Sequence, residues 1–384
     1  EIPEHWGVIK LKYVTKLAYG DSLPTENREE EGEVDVFGSN GKVGTHNVAN
    51  TLSPVIIVGR KGSYGKVTYS DKKCFAIDTT YYIDNRCTKS NIKWLYYSLM
   101  VLELDKNSQD TGVPGLSREY AYNKYVPVPT VNEQVAIANF LDQKTAEIDG
   151  LIADKEKLIE LLQEKRQAII TEAVTKGLNP NVKMKDSGIE WIGEIPEEWE
   201  LIKIKFVGTI YSGNGFKEEL QGKTEGDYPF FKVSDINGNG KLAISSNNYV
   251  DEDDVVNNGW NIIPKNSILF PKIGEALKKN HRKINACSCL IDNNIAAIKT
   301  NERIIDFNYF YYYFCCVNAE WFVNPGAVPS INNAYLKNFM VLLPSKNEQT
   351  AIANFLDQKT AEIDDLIFDI YTQIQKLKEY RQSL

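Results

Sequence analysis

An eighteen-residue string occurs twice in this chain, and that repeat limits the possible folds more than any other feature. Residues 132–149 read NEQVAIANFLDQKTAEID and residues 347–364 read NEQTAIANFLDQKTAEID, differing at Val135 against Thr350, 215 positions apart. Upstream of each copy a second pair recurs, IPEHW at Ile2–Trp6 and IPEEW at Ile195–Trp199. A period this long exceeds those of solenoid repeats. The chain therefore reads as a duplicated unit with internal pseudo-symmetry, each copy a variable body followed by a near-constant helix. Two like modules suit a target with two halves at a fixed distance.

The repeated strings open long helices. The first is expected from Asn132, as N-cap with Glu133 in the first turn, to Lys176, where Gly177 and Pro180 stop it. Ile148, Ile152, Ile159, Leu162, Ile169 and Ala173 form a heptad seam, with Lys155 and Arg166 also at seam positions. Ile363, Leu366, Ile367, Ile370, Ile374 and Leu377 give the second seam, where Ile370 replaces Lys155 and Arg381 matches Arg166. Two such seams imply an antiparallel coiled coil. The polar seam residues are expected to fix its register, with simple snorkelling as the alternative.

The bodies differ in character. The first consists of short β-branched and aromatic runs broken by glycine turns, then a helical stretch at Asn91–Leu104, then VPVP at 126–129. The second aligns with it by character rather than identity. The expected fold is mixed α/β: two pseudo-symmetric globular domains joined by two long antiparallel coiled-coil helices. The expected boundaries are 1–131 for the first body and 132–178 for the central helix. The linker and second body take 179–346, and the distal helix takes 347–384. Glu1 aligns with Glu194, and the second helix stops at RQSL where the first continues, so the natural protein is expected to be longer at both ends.

Composition bounds the function. The net charge is −8, which argues against a generic nucleic-acid binder. Each helix carries about −3, whereas Arg60–Lys73 holds five basic residues against one acid and Lys265–Lys283 six against one. Acidic helices with local basic loops fit DNA on one face and a protein partner elsewhere. The run Glu26–Asp35 is expected as a mobile acidic surface loop. No apolar run approaches the ~20 residues of a membrane span; Phe307–Val317 is aromatic and reads as buried, Tyr311, Tyr312 and Tyr313 included. The six cysteines lack zinc-site spacing and read as free thiols of a cytoplasmic protein.

An ordered set of motifs carries a resemblance: KDSGIEWIGEIPEEW at 185–199 and its remnant IPEHW, VFGSNGKVGTHN at 36–47, GRKGSYGKV at 59–67, VPGLSREY at 113–120, VPSINNAYL at 328–336, and the two repeated helices. Over its whole length the chain resembles the specificity subunit of Type I restriction-modification systems. The resemblance implies that each body is a target-recognition domain reading one half of a split, asymmetric site in double-stranded DNA. It implies that the helices set the spacing and dock two methyltransferase subunits, with restriction subunits completing the complex. S-adenosylmethionine, ATP and Mg would then sit on those partners, with no cofactor or metal in this chain. A helix of ~43 residues spans roughly 65 Å, enough to bridge two bodies one turn of duplex (about 34 Å) apart. Inserting whole helical turns should lengthen the spacer and leave each half-site unchanged.

The candidate contacts follow from residue chemistry. Arg60, Lys61, Ser63 and Tyr64 form a glycine-bounded tip, arginine suiting bidentate guanine readout and lysine suiting phosphate; the plain alternative is a solvated hairpin tip. Lys272, Lys278, Lys279, His281 and Arg282 form the matching loop. Ser39, Asn40, Lys42, His46 and Asn47 form a polar turn, and asparagine can pair with adenine, although SNG is a turn former in any case. Lys232, Ser234, Asp235 and Asn237 occupy the equivalent stretch of the second body. Ser117 and Arg118, and Ser330, Asn332 and Asn333, follow the VPGL and VPSI turns, where they either contact DNA or cap a helix.

Catalytic motifs do not hold. There is no P-loop and no [DN]PP[YF] tetrapeptide, which Asn324-Pro325-Gly326 fails. YSGNGF at 211–216 lacks strand–helix context, and Lys-Glu-Lys at 155–157 lies in the coiled coil. The expected reading is a non-catalytic DNA-reading subunit that directs separate methyltransferase and nuclease chains. The recognition fragment of a fused restriction-methyltransferase and a coiled-coil scaffold without DNA remain as alternatives.

Overall fold

The structure, a computed structural model, describes residues 2–29, 31–106, 114–237, 240–324 and 329–384. Val113 and Val328, which open two of the motifs above, lie outside the described residues, as does Glu30 of the acidic run. The chain divides into two compact units, one of Glu1–Ala153 with Lys376–Leu384 and one of Asp154–Gln375. Each unit thus contains a body and a stretch of both long helices.

Mixed α/β architecture holds in both bodies. In the first unit an antiparallel sheet runs in the order Ala18–Tyr19, Thr80–Ile83, Val55–Gly59, Val67–Ser70, beside a three-stranded sheet centred on Val34–Gly38. The last two residues of the acidic run, Val34 and Asp35, lie in that strand rather than in a loop. In the second unit a five-stranded sheet runs Gly208–Ser212, Ile295–Thr300, Ile268–Pro271, Lys283–Asn285, Leu242–Ala243. The strand VIIVG at 55–59 is wholly buried, as its unbroken apolar run requires of a central strand. A short strand at the start of each body pairs antiparallel with the strand just before the long helix: Gly7–Lys10 with Tyr125–Val128, and Glu200–Lys203 with Met340–Leu343.

The long helices span Val131–Lys176 and Lys346–Ser383. Their N-caps are Thr130 and Ser345 rather than Asn132. The Glu133 amide donates to Thr130 Oγ1 while Glu133 Oε2 accepts from the Thr130 amide at 2.9 Å, a capping box written T-x-x-E in the sequence. Gly177, at φ +75°, ends the first helix as expected. Of the seam residues, Ile148, Ile159, Ala173, Ile363, Ile370 and Ile374 are buried, but Leu366 is 51% exposed and is not in the seam. Within the second unit, Lys155 donates to Gln373 at 2.6 Å and Arg166 to Asp364 at 3.0 Å, so residue numbers fall on one helix as they rise on the other. The pair is antiparallel there. In the first unit Arg381 meets Asp149 at 2.7 Å. Asp149 and Arg166 become Asp364 and Arg381 on adding 215, so each unit contains one copy of the same salt bridge.

The repeated residues also hold each body to its helix. Trp6 donates its indole N–H to Glu133 at 3.3 Å, and Trp199 donates to Glu348 at 3.0 Å. Gln134 accepts from the Asn91 amide at 2.9 Å and donates to the Pro129 carbonyl at 3.0 Å; Gln349 does the same with Asp306 at 2.6 Å and Pro344 at 2.8 Å. The Tyr97 hydroxyl donates to Asp142, and that of Tyr312 to Asp357, both at 2.6 Å. Asn91 and Asp306 cap the helices Ile92–Met100 and Phe307–Cys316, whose apolar faces enter the two main cores. Docking within the chain is thus a direct reason for the near-identity of the repeat. The tyrosines 311–313 are buried, as their aromatic run suggested. No described helix is long and apolar enough to cross a membrane.

Candidate nucleic-acid interface

In the first unit three separate motifs converge at one end of the sheet. The strand Val55–Gly59 leads into the loop Arg60–Gly65, where Gly62 takes φ +74°. A Cβ at Gly59 would meet Ser63 O at 2.3 Å and Ser39 O at 2.9 Å, so glycine is required for the loop and the Ser39–Asn40 turn to close on each other. The loop is clasped to the turn before the short helix Arg118–Tyr122. The Gly62 amide donates to Pro114 O at 3.0 Å, the Leu116 amide to Arg60 O at 2.8 Å, and Lys61 bridges Gly115. Ser117 is the N-cap of that helix, accepting from the Tyr120 amide, so the capping alternative holds for its side chain.

The two arginines meet on Tyr19. Arg60 lies 5.4 Å and Arg118 4.8 Å from its ring centroid. Arg60 also donates through Nε and Nη2 to Asp78 O, at 3.1 and 2.7 Å, and its Nη1 makes no hydrogen bond among the described residues. Arg118 makes cation–π contacts and no hydrogen bond among the described residues. Tyr81 packs beneath Tyr19 with ring centroids 5.1 Å apart, and burial pushes its phenol up to about 12. Exposed Lys61 and Ser63 flank this pair, while Tyr64 packs half-buried against the core. Lys66, absent from the sequence reading, donates to Asn40 O at 2.8 Å and to Asn40 Oδ1 at 3.0 Å and so fixes the turn. Tyr19 was also missed; a lone tyrosine before Gly20 carries no local signal.

The rest of the proposed polar turn is elsewhere. Asn40 opens the strand Gly41–His46, so His46 and Asn47 lie at its far end, roughly 17 Å away. Asn47 donates to Glu29, and His46 stands edge-on to Phe75 at 5.6 Å. Lys42 pairs with Asp35 at 2.5 Å. Asn47 and Lys42 thus have intrachain polar partners, while His46 Nδ1 is buried with no hydrogen bond among the described residues.

The second unit repeats the clasp in different residues. Gly274, at φ +76°, donates to Pro329 O at 2.8 Å, the Ile331 amide donates to Lys272 O at 2.9 Å, and Ile273 bridges Ser330. Lys272 thus stands where Arg60 stands, Asn332 caps the helix Asn333–Asn338 as Ser117 caps its own, and exposed Asn333 replaces Arg118. Ser330 is half-buried in a strand pair. Lys232 makes its contacts elsewhere, over the Phe216 ring at 5.3 Å, while at the clasp Asp292 accepts from the Asn294 amide at 2.7 Å and Asn294 O accepts from the Lys272 amide at 2.8 Å. Asp235 is structural, accepting from the Lys232 amide at 2.7 Å and from Ser246 at 3.0 Å. Ser234 is exposed and Asn237 ends that short helix. Lys232 itself donates to Gln221 at 2.6 Å.

The run Lys278–Arg282 splits. Lys278 pairs with Glu275 at 2.9 Å, and exposed Lys279 has no partner among the described residues. The chain then turns inward at Asn280, with φ +52°. His281 is half-buried; burial, then Lys279, Lys283 and Arg282, lower its pKa and favour neutral imidazole. Arg282 is 6% exposed, sits 4.6 Å from the Phe314 ring centroid, and donates to Asn280 Oδ1 at 2.8 Å and His281 O at 3.0 Å. Burial draws its guanidinium down to about 10. Its expected role as a DNA contact is therefore replaced by one in the core: a sequence of basic residues does not show which one turns inward. No group of three or more potential metal ligands occurs among the described residues.

Comparison with known proteins places this geometry. The Type I restriction modification DNA specificity domain matches residues 3–161 and 196–376. The MjaVIII specificity subunit of Methanocaldococcus jannaschii is 24% identical over 388 residues, covering 95% of this chain and 88% of that one. The EcoBI specificity subunit of Escherichia coli is 23% identical, covering 86% of this chain and 71% of that one. Among solved structures, a chain from a study of assembly and conformational transition of the type I R-M system superposes with a TM-score of 0.73 at 14% identity, covering 100% and 97% of the two chains. The HsdS subunit from Thermoanaerobacter tengcongensis gives 0.54 at 15% identity, covering 100% and 96%. These last two are likenesses of fold.

Proposed function

Because this chain belongs to the family of Type I restriction-modification DNA specificity domains, the non-catalytic subunit class that recognises DNA sequence, we propose that it reads a bipartite site, one half per unit. The observation that carries this reading is the clasp made twice. In each unit a strand-end basic residue is hydrogen-bonded to the turn that opens an N-capped short helix. The fixed backbone presents Arg60 and Arg118 in one unit, and Lys272 and Asn333 in the other. Constant backbone with exchanged side chains is what two readers of different half-sites require, since base edges are distinguished by donor and acceptor pattern. Lys61 and Lys279, both exposed, meet phosphates in this reading.

The two long helices act in this reading as the spacer between half-sites and as the docking surface for two methyltransferase subunits, with restriction subunits joining the assembly. Methyl transfer and cleavage belong to those partners, as do S-adenosylmethionine, ATP and Mg. The test is methylome sequencing of cells that express this chain with and without its methyltransferase partner. The expected result is a methylated motif of two short halves around a fixed gap. Arg60→Ala with Arg118→Ala should relax one half and leave the other intact. An undivided motif, or no methylation by an intact complex, overturns the proposal.

A further inference from the structure

The first unit gathers two guanidiniums on one tyrosine ring, and the second unit has other residues at each of those places. Backbone bonds fix the comparison. The Gly20 amide donates to Thr80 O at 3.1 Å and the Arg60 amide to Thr79 O at 2.8 Å, while the Gly213 amide donates to Ile295 O at 3.2 Å and the Lys272 amide to Asn294 O at 2.8 Å. In the sheets Tyr19 pairs with Tyr81 and Ser212 with Ala296. Ser212 and Ala296 thus stand where the first unit has Tyr19 and Tyr81, and Asn333 stands at the place of Arg118. The aromatic platform belongs to the first unit.

The two arginines on that platform are differently committed. Arg60 has turned one edge of its fork, Nε and Nη2, onto Asp78 O. Arg118 opens its short helix with the Tyr19 ring centroid at 4.8 Å and that of Tyr122 at 6.0 Å. None of its five N–H groups has a hydrogen-bond or carboxylate partner among the described residues. A ring face attracts a planar guanidinium without using its in-plane donors. Tyr19 is 48% exposed, and the Tyr81 beneath it donates to Leu116 O at 3.2 Å, which ties the platform to the clasp.

We propose that Arg118 reads a guanine in the half-site of the first unit, through paired donors to O6 and N7, and that Tyr19 is the positioning residue that holds its plane. This rests on the DNA reading above and adds the base. Guanine alone shows two adjacent acceptors in the major groove, which match a fork of unengaged donors; adenine sets a donor beside N7, and cytosine offers a donor.

The test uses the assembled complex of this chain with its methyltransferase and a duplex carrying its motif. Each guanine of either strand is replaced in turn by 7-deazaguanine, which lacks the N7 acceptor, and competition anisotropy reads the affinity. One guanine is expected at which the replacement weakens binding by roughly fivefold or more, and at which Arg118→Ala makes the complex indifferent to it. Arg118 is half-exposed and makes no hydrogen bond, so the variant folds. Arg118→Lys, which keeps the charge and loses the fork, should lose the same coupling. Tyr19→Leu should shrink the coupling and Tyr19→Phe, which keeps a ring, should retain it. No guanine coupled to Arg118 overturns the assignment even where the motif is bipartite, and coupling unchanged by Tyr19→Leu overturns the positioning role. An undivided motif with this coupling leaves the assignment standing and removes the bipartite reading instead. Absence of specific binding by an intact complex overturns both.

Discussion

Replacing Gln349 by methionine isolates what the repeat does inside one unit. Gln349 is 1% exposed, and both ends of its amide are used: Oε1 accepts from the Asp306 amide at 2.6 Å and Nε2 donates to Pro344 O at 2.8 Å. Methionine has a similar length and volume but neither donor nor oxygen acceptor. The substitution leaves one N–H and one carbonyl without partners, at about 1–3 kcal/mol each. Burial of the apolar side chain returns about 1 kcal/mol. The net loss is about 3 kcal/mol, roughly a hundredfold in the folded-to-unfolded ratio. Asp306 is also the N-cap of the helix Phe307–Cys316, accepting from the Tyr309 amide at 3.0 Å, so the damage should be local as well as global. Urea unfolding gives the free energy, and native-state hydrogen exchange at Asp306 gives the local opening. Gln358→Met, at an exposed site on the same helix where the amide meets only Glu362, should change stability by under ~0.5 kcal/mol. If Gln349→Met costs no more than Gln358→Met, docking by the repeated glutamine is refuted.

Other expectations concern charge. Lys61→Ala and Lys279→Ala should each reduce the salt slope of DNA binding by the assembled complex by about one, with the recognised sequence unchanged; unaltered slopes in anisotropy titrations would remove both from the interface. Arg282→Ala should leave that slope alone and destabilise the second unit by about 2–4 kcal/mol, because it empties a packed site, as urea unfolding would report. Hydrogen bonds from Thr130, then His5, and further from the Thr130 amide and Trp6, hold the Glu133 carboxyl down at about 2. A depressed carboxyl contributes stability above its ordinary value near 4.5, and that contribution is lost as pH falls from there toward 2. Glu133→Gln should therefore flatten the acid limb in that window, read from tryptophan fluorescence. Exchanging the charges of Arg166 and Asp364 should restore the roughly 0.5 kcal/mol that either single reversal loses, with a coupling that shrinks in high salt because the pair is partly exposed.

The long helices were legible because a 3.5-residue apolar period repeats over many turns, and the duplication confirmed the reading in a second copy. The same pattern misled at Leu366, since a period shows spacing and not which neighbour covers a side chain. Ile170 and Val174 were missed for the converse reason: they lie off the seam and are buried by the body. The N-caps were misplaced by two residues because Asn132 is a good cap by type, whereas the reciprocal bonds of Thr130 and Glu133 decide the matter. The site was legible as motifs and not as a place. Nothing local brings Arg60 to Leu116, which are joined by one amide–carbonyl bond across the fold. Nor does residue type separate Lys279, facing water, from Arg282, packed on Phe314.

The paired attachment points have a consequence for how such a chain can vary. The long helices offer each body the same fittings, a carboxylate for an indole, an amide for a helix cap and a carboxylate for a phenol. A body needs only a tryptophan near its start, a capped helix and a tyrosine farther along that helix to be accepted at either position. All other surface is free to drift. A lineage could thus acquire a new specificity by exchanging one interchangeable part, or by placing the two in reverse order, without relearning how to fold.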